Sequence, residues 1–279
     1  MVSGVTRPAL RYFGGKWLLA DWIIARLPDH HCYVEPFCGG ASVLLRKPPS
    51  TVEILNDVSG RVVNFFRVLR EEPAELIRQL DLTPMALDEY RECRRNQAGD
   101  PVERARRFFV ESWQALAGAN GDGRCQGWRR TPDRDVARTL KGAVDNLHQV
   151  AERLRGVAID NLDWREVLKR YDSPETLFYV DPPYLPSTRN RTCPSDGYGA
   201  NDLAEDEHPE LLDALAGVAG AVVLSGYHSD LYDAHLVGWA MAERTASAFQ
   251  SSRRVEVLWS NRPWAGQMNL TVDVEHLNE

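Results

Sequence analysis

Residues 176–184 read Thr-Leu-Phe-Tyr-Val-Asp-Pro-Pro-Tyr, a short apolar run closed by an acid, two prolines and an aromatic ring. The run Thr176–Val180 has the length and composition of a strand buried on both faces, bounded by Pro174 and by Pro182–Pro183. Each proline fixes its own φ and lacks an N–H, and Pro183 also drives Pro182 out of the helical region. The backbone after Asp181 is therefore stiff and extended. It leaves a carboxylate, a carbonyl and a flat ring at the C-terminal edge of a sheet, where ligands bind in α/β proteins.

That set suits the amino group of a nucleobase. An exocyclic NH2 donates two hydrogen bonds, which Asp181 and the Pro182 carbonyl could accept, while Tyr184 could stack on the ring. A strand that stops at an Asp-Pro turn with a tyrosine packed beside it would present the same residues, so the rest of the chain must decide.

The chain has 279 residues, 43% hydrophobic and 26% charged, as expected of a soluble globular protein with a substantial core. Its first ten residues lack the apolar core of a signal peptide, and its longest apolar stretch, near Ala214–Leu224, is too short to span a membrane. Five scattered cysteines form no Cys-x-x-Cys pair. Neither a disulfide framework nor a zinc site is expected, and a reducing cytoplasm is the expected setting. The net charge of −7 excludes a protein that coats nucleic acid through bulk charge. Residues 91–141, however, hold 12 Lys and Arg against 7 acids. A basic segment on an acidic body meets the requirement of a local polyanion site, although solvated helix faces would have the same composition.

The pattern along the chain predicts a helix over Lys16–Leu27, a strand at Cys32–Val34, a short helix at Ser42–Arg46 and a strand at Val52–Leu55. A helix capped by Ser59 and running through Leu69 follows. This β-α-β-α order predicts a doubly wound sheet. From Pro73 to Arg155 helical periodicity dominates, interrupted by the loop Gly118–Gly127 and Trp128-Arg-Arg, which predicts a helical insertion. Strands are then expected at Val157–Ile159, Thr176–Val180, Ala221–Ser225 and Val255–Trp259, with helices at Trp164–Tyr171 and Glu207–Ala216. The polar, Gly/Pro-rich loop Leu185–Leu203 is long enough to carry function or to be disordered.

Three further segments bear on chemistry. The turn Glu35-Pro-Phe-Cys-Gly-Gly40 lacks Cβ atoms where a ligand would approach, though it is not a dinucleotide fingerprint. Asp57 ends the second strand, at the spacing from the glycine turn where an acid binds ribose hydroxyls; a helix N-cap is the competing reading. Arg11-Tyr-Phe-Gly-Gly-Lys16 places two glycines and a lysine at an expected helix start, where an anion could bind.

In this order and spacing, Arg11–Lys16, Tyr33–Leu45, Ile54–Leu69 and Phe178–Tyr184, with a weaker match at Val222–Tyr232, resemble the Dam-type, alpha-group DNA N6-adenine methyltransferases. The chain looks closer to phage and prophage forms of the family, in which the recognised site varies. The resemblance implies an α/β fold: a Rossmann-like S-adenosylmethionine-dependent methyltransferase sheet (1–72 and 156–279) with an inserted, mainly helical target-recognition lobe (73–155). It implies S-adenosyl-L-methionine as methyl donor and no metal. By motif position Tyr12, Lys16, Glu35, Phe37, Gly39, Asp57 and Asp181 would border the cofactor, with Lys16 near its carboxylate end. Asp181, Pro182, Pro183 and Tyr184 would form the catalytic motif around a flipped-out adenine. Arg11, Arg124, Arg129, Arg130, Arg189 and Arg191 are the implied DNA contacts. The loop Gly118–Arg130 departs from the recognition hairpin of GATC-specific relatives, so that specificity is not carried over. A cognate restriction enzyme and the oligomeric state are left open.

The same amino-group chemistry would serve N4-cytosine methylation, although Asp rather than Ser before Pro-Pro-Tyr favours adenine. Methylation of glutamine or RNA amino groups is a further reading. A non-catalytic, cofactor-sensing DNA-binding module is the rival of a different class.

Overall fold

Short apolar runs, each too brief to cover itself, pair side by side into the parallel centre of a seven-stranded sheet. The computed structural model describes residues 4–116, 127–129, 135–188, 201–247 and 253–264. The strands are β1 (Cys32–Glu35), β2 (Val52–Asn56), β3 (Val157–Asp160), β4 (Thr176–Val180), β5 (Ala221–Gly226), β6 (Ala240–Ser247) and β7 (Arg253–Ser260). Their order is β3-β2-β1-β4-β5-β7-β6. The first five are parallel, while β7 runs antiparallel to both β5 and β6. β4 is buried at every position, as a central strand covered on both faces should be.

The strand order reverses between β1 and β4, whose register pairs Cys32 with Thr176 and Val34 with Phe178. This switch point opens a crevice at the C-terminal ends of the two strands. Glu35 ends β1 there, and Asp181 follows β4.

The helices are α1 (Ala20–Ile24), α2 (Ser42–Arg46), α3 (Gly60–Glu71), α4 (Pro73–Asp81), α5 (Leu87–Arg95), α6 (Pro101–Gln114), α7 (Val136–Leu154), α8 (Trp164–Tyr171), α9 (Glu207–Gly217) and α10 (Asp230–His235). Several starts follow from capping chemistry. Asp100 accepts from the Glu103 N–H ahead of Pro101, Asp135 from Arg138 N–H, and Asp163 from Arg165 N–H. Two apolar clusters sandwich the sheet. One joins α3, α6 and α7 to one face, and the other joins α8, α9 and α10 to the opposite face. Phe65 of α3 lies 6.2 Å from Phe109 of α6 in a stacked arrangement, and Trp113 follows at 6.0 Å from Phe109. The helices of 73–155 and the helix beside β2 thus share one core.

The expected strands, α2, α3, α8 and α9 stand where the pattern placed them, to within about two residues at their ends. The first helix is shorter than the predicted Lys16–Leu27. Leu19 N–H closes a three-residue turn on Lys16 O, and Arg26 and Leu27 close similar turns on Ile23 and Ile24. α-Helical bonding therefore holds only over Ala20–Ile24, and Lys16 is not a helical residue. β6 and α10 were not predicted. β6 reads Ala-Met-Ala-Glu-Arg-Thr-Ala-Ser and acquires its conformation by pairing with β7. α10 is a single capped turn, with the Ser229 hydroxyl accepting from Tyr232 N–H. No helix among the described residues is long and apolar enough to cross a membrane.

Because Phe109 is fully buried between α3 and α6, Phe109→Ala should lower the unfolding free energy by about 3–5 kcal/mol. Urea unfolding followed by circular dichroism checks this. A loss below about 1 kcal/mol would contradict the shared core.

Candidate active site

The glycine turn after β1 is shaped by positive φ at Gly39 (47°) and at Ala41 (51°). A Cβ on Gly39 would stand 2.9 Å from the Tyr12 ring, so glycine is what allows that ring to lie against the turn. Ala41 occupies the N-cap of α2 and offers no side-chain acceptor. Glu35 supplies it from the strand: its Oε1 accepts from Leu44 N–H at 2.9 Å and from the Tyr33 hydroxyl at 2.8 Å. Burial, partly offset by those two bonds, raises the Glu35 carboxyl to about 8, so it is protonated at neutral pH.

Asp57, at the tip of β2, accepts from Gly39 N–H at 2.9 Å and from Ser59 N–H at 2.8 Å. It therefore ties the glycine turn to the start of α3. Burial raises it to about 6, against the lowering by those bonds, which leaves it mostly ionised at neutral pH. Each of its oxygens has a second lone pair directed for a further donor. Asn56 locks the neighbouring chain, donating to Pro36 O and Leu162 O and accepting from Leu162 N–H.

Asp181 is only 19% exposed and receives Lys16 Nζ at 2.9 Å. The same ammonium reaches Glu256 Oε1 at 3.3 Å, donates to Gly14 O at 2.9 Å and sits 4.7 Å from the Tyr184 ring centre. Desolvation raises Asp181 to about 6, with Lys16 pulling it down and Glu256 pushing it up. The Tyr184 hydroxyl donates to Glu256 and lies 3.3 Å from Ser225 Oγ, and its ring meets Tyr227 edge-on at 4.6 Å.

A cleft, partly open to solvent, runs between these groups. Tyr12, Lys16, Glu35, Phe37, Gly39, Asp57, Asp181 and Pro183 all line it, so the structure brings together residues predicted from four separate segments. The anion site expected at the Arg11–Lys16 segment is not formed in that way, because Lys16 precedes the helix and spends its charge on two carboxylates. Arg11 donates to Ala115 O at 3.0 Å and Leu116 O at 3.3 Å, fastening the end of α6. Arg129 is held through its backbone, N–H to Gln114 O at 2.7 Å. Arg124, Arg130, Arg189 and Arg191 lie outside the described residues. Among the described residues no group of three or more His, Cys, Asp or Glu is placed to hold a metal ion.

Sequence reasoning missed Glu256, Ser225, Asn56 and Tyr227. Glu256 did carry a signal, as a lone acid inside the apolar strand Val255–Trp259. Ser225 and Tyr227 fell within the weaker match at Val222–Tyr232.

A parallel sheet with an antiparallel β7 set between β5 and β6, a glycine turn after β1 and an acid ending β2 define a Rossmann-like α/β protein. Comparison with known proteins narrows the class. The sequence pattern of the D12 class N6 adenine-specific DNA methyltransferases matches residues 12–257, and the chain belongs to that family. It is 26% identical over 241 residues to a DNA adenine methylase of Vibrio cholerae, covering 82% of this chain and 84% of the relative. It is 27% identical over 222 residues to the DNA adenine methylase of Escherichia coli K12, covering 76% of each. A DNA adenine methylase of Haemophilus influenzae is 25% identical over 220 residues, 76% of this chain and 75% of the relative. The enzyme is thus an adenine-specific DNA methyltransferase, which decides between adenine and the cytosine, glutamine and RNA readings.

Burial of Glu35 has a consequence for stability. A carboxyl raised from 4.5 to about 8 binds more protons folded than unfolded between those values, so it costs stability as pH rises through that window. Glu35→Gln keeps an acceptor for Tyr33 and Leu44 without that cost. Its melting temperature relative to the native protein should rise steadily from pH 5 to pH 8; a pH-independent difference would show that Glu35 is ionised in the folded state.

Proposed function

We propose that this enzyme takes the methyl group from S-adenosylmethionine and places it on N6 of an adenine turned out of the DNA helix, with Asp181 and Tyr184 at the reacting base. The observation that carries this reading is the meeting, at the β1–β4 switch point, of the Asp181-Pro-Pro-Tyr184 segment with a cleft bounded by the glycine turn and Asp57.

The residues fit that donor. Asp57 is ionised at neutral pH and keeps lone pairs for ribose hydroxyls. Tyr12 lies against Gly39 and offers a flat face to the cleft. Protonated Glu35 removes a negative charge from beside the methionine end. When bound, the cofactor supplies a methyl group on a cationic sulfur, which leaves as a neutral thioether.

The remaining chemistry belongs to the chain. The N6 lone pair of adenine is delocalised into its ring and is a poor nucleophile. Asp181 and the Pro182 carbonyl accept hydrogen bonds from the two N6 hydrogens and so draw that lone pair out of conjugation, toward the methyl group. After transfer the cationic amine releases one proton to solvent and N6-methyladenine is left neutral. Pro182 and Pro183 hold the backbone extended, so the carbonyl and carboxylate keep their spacing without reorganisation during reaction. Tyr184 stacks on the base once it has left the duplex. Positioning accounts for much of the acceleration, and no covalent enzyme intermediate is required.

Residues 73–155 serve as the target-recognition segment in this reading. Arg11 supports it by holding the carbonyls of Ala115 and Leu116, just before the stretch of sequence that contains Arg124, Arg129 and Arg130. Those arginines, with Arg189 and Arg191, are the proposed DNA contacts.

Incubation of unmethylated plasmid DNA with the protein and S-adenosylmethionine, followed by nucleoside mass spectrometry, should yield N6-methyladenine. N4-methylcytosine, or no methylated base, would overturn the reading. Asp181→Ala should lower turnover by at least about 100-fold, while Tyr184→Ala should chiefly raise the KM for DNA. Native turnover by Asp181→Ala would remove that residue from the mechanism.

A further inference from the structure

Glu256 lies on β7, remote in sequence from the other residues of the site, and is buried. Three donors converge on its Oε1: the Tyr184 hydroxyl, Ser225 Oγ at 3.0 Å and Lys16 Nζ at 3.3 Å. Lys16 in turn reaches Asp181 Oδ1 at 2.9 Å. One carboxylate oxygen therefore touches the ring proposed to stack on the base and the cation that faces the proposed acceptor of its amino group.

We propose that Glu256 is a positioning residue of the base pocket, holding the Tyr184 ring through its hydroxyl and holding Lys16 at a shared point between two carboxylates. The inference rests on the roles given above to Asp181 and Tyr184.

The fold itself has no need of a charge here. Side chains alternate along a strand, so Glu256 shares its sheet face with Leu258, which lies in the apolar core. An apolar residue at 256 would avoid the cost of desolvating a carboxylate, and buried ion pairs contribute little net stability over such a replacement. What an apolar residue could not supply is an acceptor for Tyr184 or a second partner for Lys16.

Sharing also sets how firmly Lys16 holds Asp181. With Glu256 present, the ammonium is divided between two carboxylates and the trio carries one net negative charge. Without it, Lys16 pairs with Asp181 alone and competes for the oxygen that the N6 hydrogen needs. Among the described residues, the titratable groups around Asp181 are Lys16 from the N-terminal segment, Glu35 on β1, Tyr179 on β4, Tyr184, Tyr232 on α10 and Glu256. Of these, Glu256 and Glu35 are carboxyls, and Glu35 is neutral at neutral pH. Removing Glu256 therefore removes the nearby negative charge and makes Asp181 more acidic.

Steady-state methylation of DNA by Glu256→Gln, with the native enzyme in the same assay, tests this. Turnover should fall by about tenfold, because Gln keeps an oxygen for the Tyr184 hydroxyl but turns a charge-assisted hydrogen bond into a neutral one. The KM for DNA should rise, and the acid limb of the kcat profile should move to lower pH. Cofactor affinity by calorimetry and the melting temperature should stay near native values. Glu256→Asp, which restores the charge, should return the acid limb toward its native position. Native turnover and an unmoved limb in Glu256→Gln would overturn the inference. Should that variant not fold, Tyr184→Phe removes only the hydroxyl that Glu256 accepts and keeps the ring. An unchanged KM for DNA in that variant would be equally fatal. A native enzyme that methylates no adenine would instead refute the underlying roles of Asp181 and Tyr184, a result distinct from an active enzyme indifferent to residue 256.

Discussion

Parallel pairing of β1 with β4 brings Glu35 and Asp181 to one edge of the sheet, although about half of the chain, residues 36–180, separates them. Such pairing is non-local, and the entropy of closing the intervening chain must be met before any contact across the seam is made. The intervening residues meet it by folding into β2, β3 and α3 through α8, whose apolar faces close over both sides of the sheet. Phe65, Phe66, Phe108 and Phe109 are all buried in the cluster that joins α3 to α6. The helices of 73–155 are thus packed into the fold that makes the seam, and the cleft at its end is a consequence of that packing.

Within the cleft, three carboxyl groups sit close together in different states. Glu35 is neutral because burial outweighs its two hydrogen bonds, and it works as the cap that α2 lacks. Asp57 is mostly ionised and binds two backbone N–H groups, which fixes the glycine turn against α3. Asp181 is mostly ionised beside Lys16. Lys16 itself is buried, and taking an ammonium out of water is tolerable only with partners such as Asp181, Glu256 and Gly14 O. Removing the ammonium would leave Asp181 and Glu256 as uncompensated buried carboxylates, at a cost of about 3–5 kcal/mol. The N-terminal segment, β4 and β7 are therefore coupled through a single ammonium.

Much of this was legible in the sequence because it is local. The apolar runs ending in Asn56–Asp57 and in Asp181-Pro-Pro-Tyr184 announce both a strand and what stands at its tip. Proline and glycine marked the turns through backbone constraints that hold in any fold. The parts that were not legible depend on pairing across the chain. β6 has the alanines of a helix and becomes a strand by pairing with β7. Lys16 looked like the anchor of a helix start, since nothing in Arg11–Lys16 shows that Asp181 and Glu256 would compete for its charge. Glu256 read as an ordinary strand residue because its partners come from three other segments.

The basic stretch of 91–141 shows how a count of charges differs from a field. Arg91 pairs with Asp88, and Arg106 with Glu89, acids that lie just outside the stretch. Arg106 and Arg107 also hold Glu103, and Arg95 holds Glu92. Arg61 reaches from α3 to Glu111 on α6. Much of the arginine charge on α5 and α6 therefore builds the helical segment. In a protein of net charge −7, attraction to a polyanion has to be local. The guanidinium of Arg11 holds the carbonyls of Ala115 and Leu116, just past α6. The end of α6 is thus tied to the same segment that carries Tyr12 and Lys16, so that a shift in one is felt by the other.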